Sequence, residues 1–427
     1  MADERNLILG IDLSDVLTQI SYYDTEVGEP MPVGYTYTNR EINEIPGVLA
    51  YDTHHKIWYF GVEAEERKKD SGFITIRNIM HNCSVGATFK IGDTEYSDYD
   101  ILKIFIIRIL DIVKSRFPYN RIQMCAVSFG NLGDVFEAKV KKAFIEAGLE
   151  ENRFVILKHA VSYMHYATSQ KRELWLNNIG LFEFFKDEEQ NLRLKFVQLS
   201  IDRGTTPFVV SWTERELTEN IGLAEYSKLS DYEKINSFTS MANALFYKNS
   251  ITTVYIVGSR YAAGWIDQSL RKLCVGRRIF KGENLYTRGA CYAAYRMLNG
   301  VDGLGFVLLD ETGINSNIYL RVYSDAEVRL EKIVSAGSKW EETDMSLDII
   351  PDDEDELSVV IENVTTRQRK LHMLSLSNVD RRPNKMTRFT FRIRFSGPNE
   401  CIITLKDCGF GEFYQSTNRI WERSLKI

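Results

Sequence analysis

The residue types that most often carry chemistry are present in this 427-residue chain, but not in the spacings that metal or nucleophile sites use. Six cysteines stand at 83, 125, 274, 291, 401 and 408, and even the closest pair has residues 402–407 between its members. A zinc knuckle needs tighter pairs, roughly two to four residues apart. Several cysteines lie in apolar runs such as Met124-Cys125-Ala126-Val127 and read as free, mostly buried thiols in a reducing compartment. His54-His55 falls in a polar stretch that reads as a solvent-exposed turn, and His159 and His165 are spaced so that they do not share a helix face. The acidic run Pro351–Glu356 reads as a solvated loop, not a metal site. No Walker loop, Rossmann glycine fingerprint, nucleophile elbow or zinc-protease signature occurs.

Composition narrows the classes further. A net charge of -6 gives no basic footprint for nucleic acid. The opening Met-Ala-Asp-Glu-Arg-Asn leads into an apolar run too short for a signal or a membrane span, so a cytoplasmic protein without membrane association is expected. The length calls for two or three domains.

The elements that would position any site follow from periodicity. Leu7–Leu13 is nearly all apolar, as a strand buried on both faces should be, and Ser14-Asp15 breaks it before a second strand over Leu17–Tyr23. Further strands are expected at 46–51, 58–61 and 122–128. Tyr99–Ser115 is predicted helical, because Ile101, Phe105 and Ile109 recur every fourth residue, as do Leu102, Ile106 and Leu110. Helices are also expected over 134–147, 160–169, 231–247, 265–273 and 284–298. Gly180–Phe185 and Leu192–Leu199 are spaced as a hairpin about the polar residues 187–191. After about residue 304 helical periodicity stops, and short strand-like runs at 318–322, 347–350, 357–364, 388–395 and 401–405 predict an all-β domain.

The order of these segments resembles the DnaK-type heat-shock chaperones, members of the superfamily that includes actin and sugar kinases. Gly10-Ile11-Asp12-Leu13-Ser14 is similar to that family's first phosphate hairpin, and Ile45–Val48 with Phe60–Ala64 to its next strands. Ile122–Phe129, Lys139–Leu149 and Ala160–Tyr166 resemble the strand and helices that follow. Ile256-Val257-Gly258-Ser259 with Trp265–Leu273 resembles the adenosine-side loop and helix, and Glu283–Ala294 the helix that closes the domain. Val307, Leu308, Leu309 and Asp310 look like the apolar interdomain linker. The resemblance implies an α/β two-lobed actin-like ATPase fold over residues 1–304 and a linker over 305–311. It further implies an all-β sandwich-like domain over 312–427, too short to add the helical lid of a substrate-binding domain.

The same resemblance assigns roles, and the chain departs from several. Asp12 matches the carboxylate that acts near the metal, with Gly10 and Ser14 beside the phosphates. Lys158 stands where the family has a glutamate, which reverses a charge; two unit charges about 4 Å apart at an effective dielectric of about 20 interact by roughly 4 kcal/mol. Such a lysine works against magnesium and instead suits a phosphate. Glu183 takes the place of an aspartate, but Phe182, Phe184, Phe185 and Lys186 surround it where glycines would let a backbone cradle an anion. Gly258 is kept and Ser259 replaces a second glycine. The expected function is a DnaK-like protein- or peptide-binding protein with a degenerate nucleotide site, a pseudo-ATPase toward ATP or ADP. A divergent active magnesium-ATP-dependent chaperone using Asp12 and Glu183, and an actin-like filament subunit, are the alternatives.

Overall fold

The computed structural model describes residues 6–92, 94–130, 133–186, 191–204, 208–217, 229–247, 249–258, 264–299, 306–309, 312–324, 327–351, 356–376 and 382–427. The chain divides into two compact units, Met1–Leu199 with Thr213–Asp302, and Ser200–Trp212 with Gly303–Ile427. Among the described residues no helix is long and apolar enough to cross a membrane.

Unit 1 contains two main sheets. The first is built from β1 (Asn6–Asp12), β2 (Leu17–Asp24), β3 (Glu29–Val33), β4 (Arg121–Phe129) and β5 (Phe154–Lys158), in the order β5-β4-β1-β2-β3. β1 is parallel to β4 and β4 to β5, whereas β2 is antiparallel to both β1 and β3. The second uses β6 (Asn178–Lys186), β7 (Leu192–Asp202), β8 (Phe208–Glu216), β9 (Ile251–Val257) and β10 (Arg278–Lys281), and repeats that order as β10-β9-β6-β7-β8; residues 200–202 of β7 and 208–212 of β8 are counted with unit 2. Again the first strand is antiparallel to the second and parallel to the fourth, which is parallel to the fifth.

β1 explains why a nearly continuous apolar run was needed. Leu7, Leu9 and Ile11 alternate onto one face and join the large core beneath α1 (Ile79–Val85), α2 (Asp98–Arg116) and α3 (Asp134–Glu146). Ile8 turns to the other face and packs with Ala290, Ala293 and Ala294. α2 starts at a capping box, in which the Ser97 hydroxyl accepts from the Asp100 N–H at 3.2 Å and the Asp100 carboxylate accepts from the Ser97 N–H at 2.9 Å.

The other face of the first sheet is covered by α4 (His159–Ser169) and α7 (Leu285–Leu298), and α5 (Asp231–Phe246) and α6 (Trp265–Leu273) cover the second sheet. α7 lies unusually close to its neighbours. A Cβ on Gly10 would sit 2.3 Å from both the Thr287 carbonyl oxygen and the Cys291 nitrogen, and one on Gly289 would sit 1.9 Å from the Ser162 carbonyl oxygen. Small residues at these two points set the spacing of β1, α7 and α4.

Unit 2 begins in the chain with the segment 200–212, whose Phe208–Ser211 pair in parallel with β11 (Phe306–Leu309). The residues read from sequence as a linker, Val307, Leu308 and Leu309, are therefore a strand; Val307 and Leu309 pack with Val209, Ala336 and Val364. Asp310 lies outside the described residues.

Eight further strands follow: β12 (Ser316–Ser324), β13 (Glu327–Val334), β14 (Asp344–Ile349), β15 (Glu356–Asn363), β16 (Arg369–Ser375), β17 (Phe389–Gly397), β18 (Glu400–Asp407) and β19 (Ile420–Lys426). They form two antiparallel sheets, β13-β12-β15-β16 and β14-β17-β18-β19. Ile318, Leu320, Val359, Ile361 and Leu374 from the first sheet share one core with Phe389, Phe391, Ile393, Ile403 and Leu405 from the second. Arg382, 6% exposed at its side chain, makes a two-pronged pair with Asp407, 1% exposed, at 2.8 and 2.9 Å. At the margin of the first sheet, Nη1 of Arg423 donates to the Met373 carbonyl of β16 at 2.8 Å.

Candidate functional site

Asp12 ends β1 with its side chain largely buried. Nε2 of His159, the first residue of α4, lies 2.7 Å from its Oδ1. The imidazole stacks on the ring of Tyr286, in the first turn of α7, with ring centres 3.9 Å apart and planes within 5°. The Tyr286 hydroxyl donates to Oε2 of Glu183 on β6 at 2.8 Å. Lys195 on β7 approaches the same oxygen at 3.1 Å and Glu214 on β8 at 3.8 Å. The two carboxylates that the sequence singles out are thus the ends of one chain of contacts, and each holds a side-chain partner.

The electrostatics of the Glu183 end follow from this packing. Burial pushes the Glu183 carboxyl up, but Lys195, His159 and the Tyr286 hydroxyl outweigh it, and the net direction is down. Burial pulls Lys195 down, and Glu183 and Glu214 carry it above the ordinary lysine value. Burial and the Glu183 charge both raise the Tyr286 phenol, so it stays a neutral donor. The arrangement holds Glu183 ionised and occupied by two donors.

The remaining residues expected at a phosphate site have local partners as well. The Ser14 hydroxyl accepts from the Val16 N–H at 3.2 Å, and the Ser14 N–H donates to Oγ1 of Thr18 at 3.3 Å. The carboxylate of Asp15 turns away onto the start of α1, accepting from the N–H groups of Met80 at 2.6 Å and His81 at 3.0 Å. Gly10 is enclosed by α7. Lys158 closes β5 with its side chain exposed. Gly258 has φ +68°, which favours glycine, and its N–H donates to Oε2 of Glu283 at 3.2 Å. Ser259 and residues 187–190 of the hairpin turn lie outside the described residues. A cleft of about 340 Å³ opens near the start of α7, lined by Gln19, Ser21, Glu44, Lys281, Glu283 and Asn284 among others. Among the described residues no group of three or more His, Cys, Asp or Glu side chains is placed to hold a metal.

Unit 2 presents a different kind of surface. Cross-strand partners share a face, so the pairings Tyr323 with Val328, Arg321 with Leu330, Tyr319 with Val360, Val360 with Leu371 and Ser358 with Met373 define the outer side of the first sheet. Tyr323, Val328 and Leu371 on it are 64%, 58% and 61% exposed, and Leu330 and Met373 are exposed too. The opposite sheet has an outer face of ion pairs instead. Arg392 grips Asp344 through two nitrogens, Arg394 meets Glu422 at 3.2 Å, and Thr390 donates to Asp348 at 2.8 Å. A water-facing sheet surface is expected to be polar, and only one of these two outer faces conforms.

Sequence reasoning reached Asp12 and Glu183 but not His159, Tyr286 or Lys195, which close the space between them. From sequence His159 reads only as a candidate metal ligand. Its position directly after Lys158, at the start of a helix following a parallel strand, was the usable signal. The apolar outer face was written in the alternation Val328-Arg329-Leu330 and Leu371-His372-Met373, but alternation alone does not say which side is the core.

A family model described as "Family of unknown function (DUF5716) C-terminal" matches residues 31–311, and one described as "Domain of unknown function (DUF8552)" matches residues 313–427. No curated protein matches the chain.

Proposed function

We propose that this chain, which belongs to the DUF5716 family of unknown function, is a DnaK-like polypeptide-binding protein that works without nucleotide hydrolysis. The exposed apolar face of the β13-β12-β15-β16 sheet carries the reading. Tyr323, Val328, Leu330, Leu371 and Met373 are exposed on this face to either side of β15, whose Ser358 and Val360 are buried; exposed apolar groups of this kind mark an interaction surface, and a polypeptide with apolar side chains fits it. Arg321, Lys332 and Arg369 lie on the same face by register and suit acidic flanking residues.

The repeated strand order in unit 1 supports a two-lobed, actin-like ancestry for that unit. The Asp12–His159–Tyr286–Glu183–Lys195 contacts favour a degenerate nucleotide site, because a magnesium ion at Asp12 or Glu183 would have to displace partners already in place. A protein of this kind is expected in the cytoplasm.

Two measurements test the reading. Titration of the full chain with magnesium-ATP in a calorimeter should give no binding tighter than about 1 mM and no turnover; micromolar binding with turnover overturns it. Binding of fluorescent apolar peptides, followed by anisotropy, should weaken about tenfold or more on Leu371→Glu, because an exposed leucine buried by a ligand contributes roughly 1.5–3 kcal/mol. Equal affinity in that variant, with unchanged melting, removes this face as the binding site.

A further inference from the structure

We infer that the His159–Tyr286 stack is a latch that ties the two main sheets of unit 1 together. The inference deepens the proposed function and rests on the reading that the site at Asp12 no longer depends on nucleotide. Asp12 belongs to β1 of the first sheet, and His159 opens the helix that leaves β5 of the same sheet. Glu183, Lys195 and Glu214 belong to β6, β7 and β8 of the second sheet. Tyr286 sits in the first turn of α7, the helix that follows β10 of the second sheet and packs on β1. The series of contacts therefore starts in one sheet and ends in the other, and the stacked pair is its middle link.

The composition of this link argues for more than filler. A contact meant only to hold two layers together is made as well or better by apolar side chains. Here each ring is instead aimed by a carboxylate: Asp12 orients the imidazole at 2.7 Å and Glu183 orients the phenol at 2.8 Å. The rings are then within 5° of parallel. Fixing both ends makes the join directional, so loosening one end should be felt at the other. Both carboxylates are also held by these side chains, so the groups that would meet a nucleotide's metal are the groups that close the latch.

Two substitutions separate the latch from local packing. Tyr286→Phe keeps the ring and removes only the hydroxyl, and Glu183 keeps Lys195, so the fold is preserved. His159→Gln keeps a donor that can reach Asp12 and removes the stack. Amide hydrogen exchange of the full, ligand-free chain is read over residues 7–14 of the first sheet and 180–185 of the second. In Tyr286→Phe, exchange is expected to quicken about tenfold in both segments, as for loss of one buried hydrogen bond to a charged group felt through a shared opening. His159→Gln should do the same, and strands β17 and β18 of unit 2 should be unchanged in both variants. Faster exchange confined to 180–185 in Tyr286→Phe, with 7–14 as in the parent, overturns the latch. The calorimetric titration with magnesium-ATP reports on the functional reading separately. Tight ATP binding by the parent would sink that reading, while joint loosening in the variants would still establish the latch.

Discussion

Arg382→Ala is expected to lower the stability of unit 2 by about 3–5 kcal/mol, the range for breaking a buried ion pair from one side. The size follows from what Asp407 is left with. Its carboxylate lies in the core-side end of β18 and accepts from both terminal nitrogens of Arg382, from the Gly409 N–H at 2.9 Å, and from the Thr417 N–H and hydroxyl at 2.8 and 2.6 Å. Arg382 also donates to the Gln415 carbonyl at 3.0 Å, and the Ser416 hydroxyl donates to the Asp407 carbonyl at 2.6 Å. The turn from Cys408 to Arg419 is thus folded around one buried charge. Removing the arginine leaves that charge without its counter-ion.

The same group makes unit 2 sensitive to acid. The hydrogen bonds from Arg382 hold the Asp407 carboxyl well below the usual carboxylate range; burial opposes them, and the donors from Thr417 and Gly409 add to them. A folded-state value below the unfolded one means that the stabilisation is complete above the unfolded value, about 3.9, and is lost as pH falls below it toward the folded value. Urea unfolding of unit 2, followed through hydrogen exchange of the Phe391 and Ile403 amides, should show stability falling from about pH 4 downward. In Arg382→Ala that slope should flatten. A variant within about 0.5 kcal/mol of the parent at pH 7 would remove the pair from any structural role.

Gly289→Ala is expected to cost unit 1 about 3 kcal/mol, the upper end of the usual overpacking range. Alanine is the better helix former by about 1 kcal/mol, so the sign of the result is informative. The added carbon would lie 1.9 Å from the Ser162 carbonyl oxygen, 2.6 Å from its carbon and 3.2 Å from its Cα. All three are backbone atoms of α4, with no flexible side chain to give way. Gly264→Ala, where nothing lies within 4 Å and φ is -68°, is the control and should be close to neutral. Urea midpoints of the two variants decide the matter, and a neutral Gly289→Ala would mean that α4 and α7 are free to separate.

These cases bear on what could be read from the chain before its structure. The long helices and first strands were legible because their apolar periodicity is strong and local: the repeat from Ile101 to Leu110 is buried along α2, and Leu7–Ile11 is buried on both faces. α1 was not legible. It starts after Asn78 at φ 50°, with no cap from its own neighbourhood, and takes its capping carboxylate from Asp15. β13 was missed because Glu327, Arg329 and Glu331 alternate with Val328 and Leu330 on a stretch exposed on both sides, which in sequence resembles a surface loop. The candidate site divides in the same way. Asp12 and Glu183 stand in segments whose order carries a family resemblance. Tyr286 and Lys195 become meaningful only when remote segments meet, and no local pattern encodes that meeting. Gly10 and Gly289 were legible as glycines but not as spacers, because their purpose is defined by the backbone of another element.

A chain that exposes an apolar sheet face invites its own copies as readily as a partner. The neighbouring margin of that sheet decides which. β16 is terminal in its sheet, and the guanidinium of Arg423 already occupies the Met373 carbonyl near the middle of the strand. A strand arriving from another molecule would find the ladder interrupted there by a positive charge, one of the ordinary means by which proteins blunt their edges. The margin therefore resists main-chain zippering even though apolar side chains are exposed beside it.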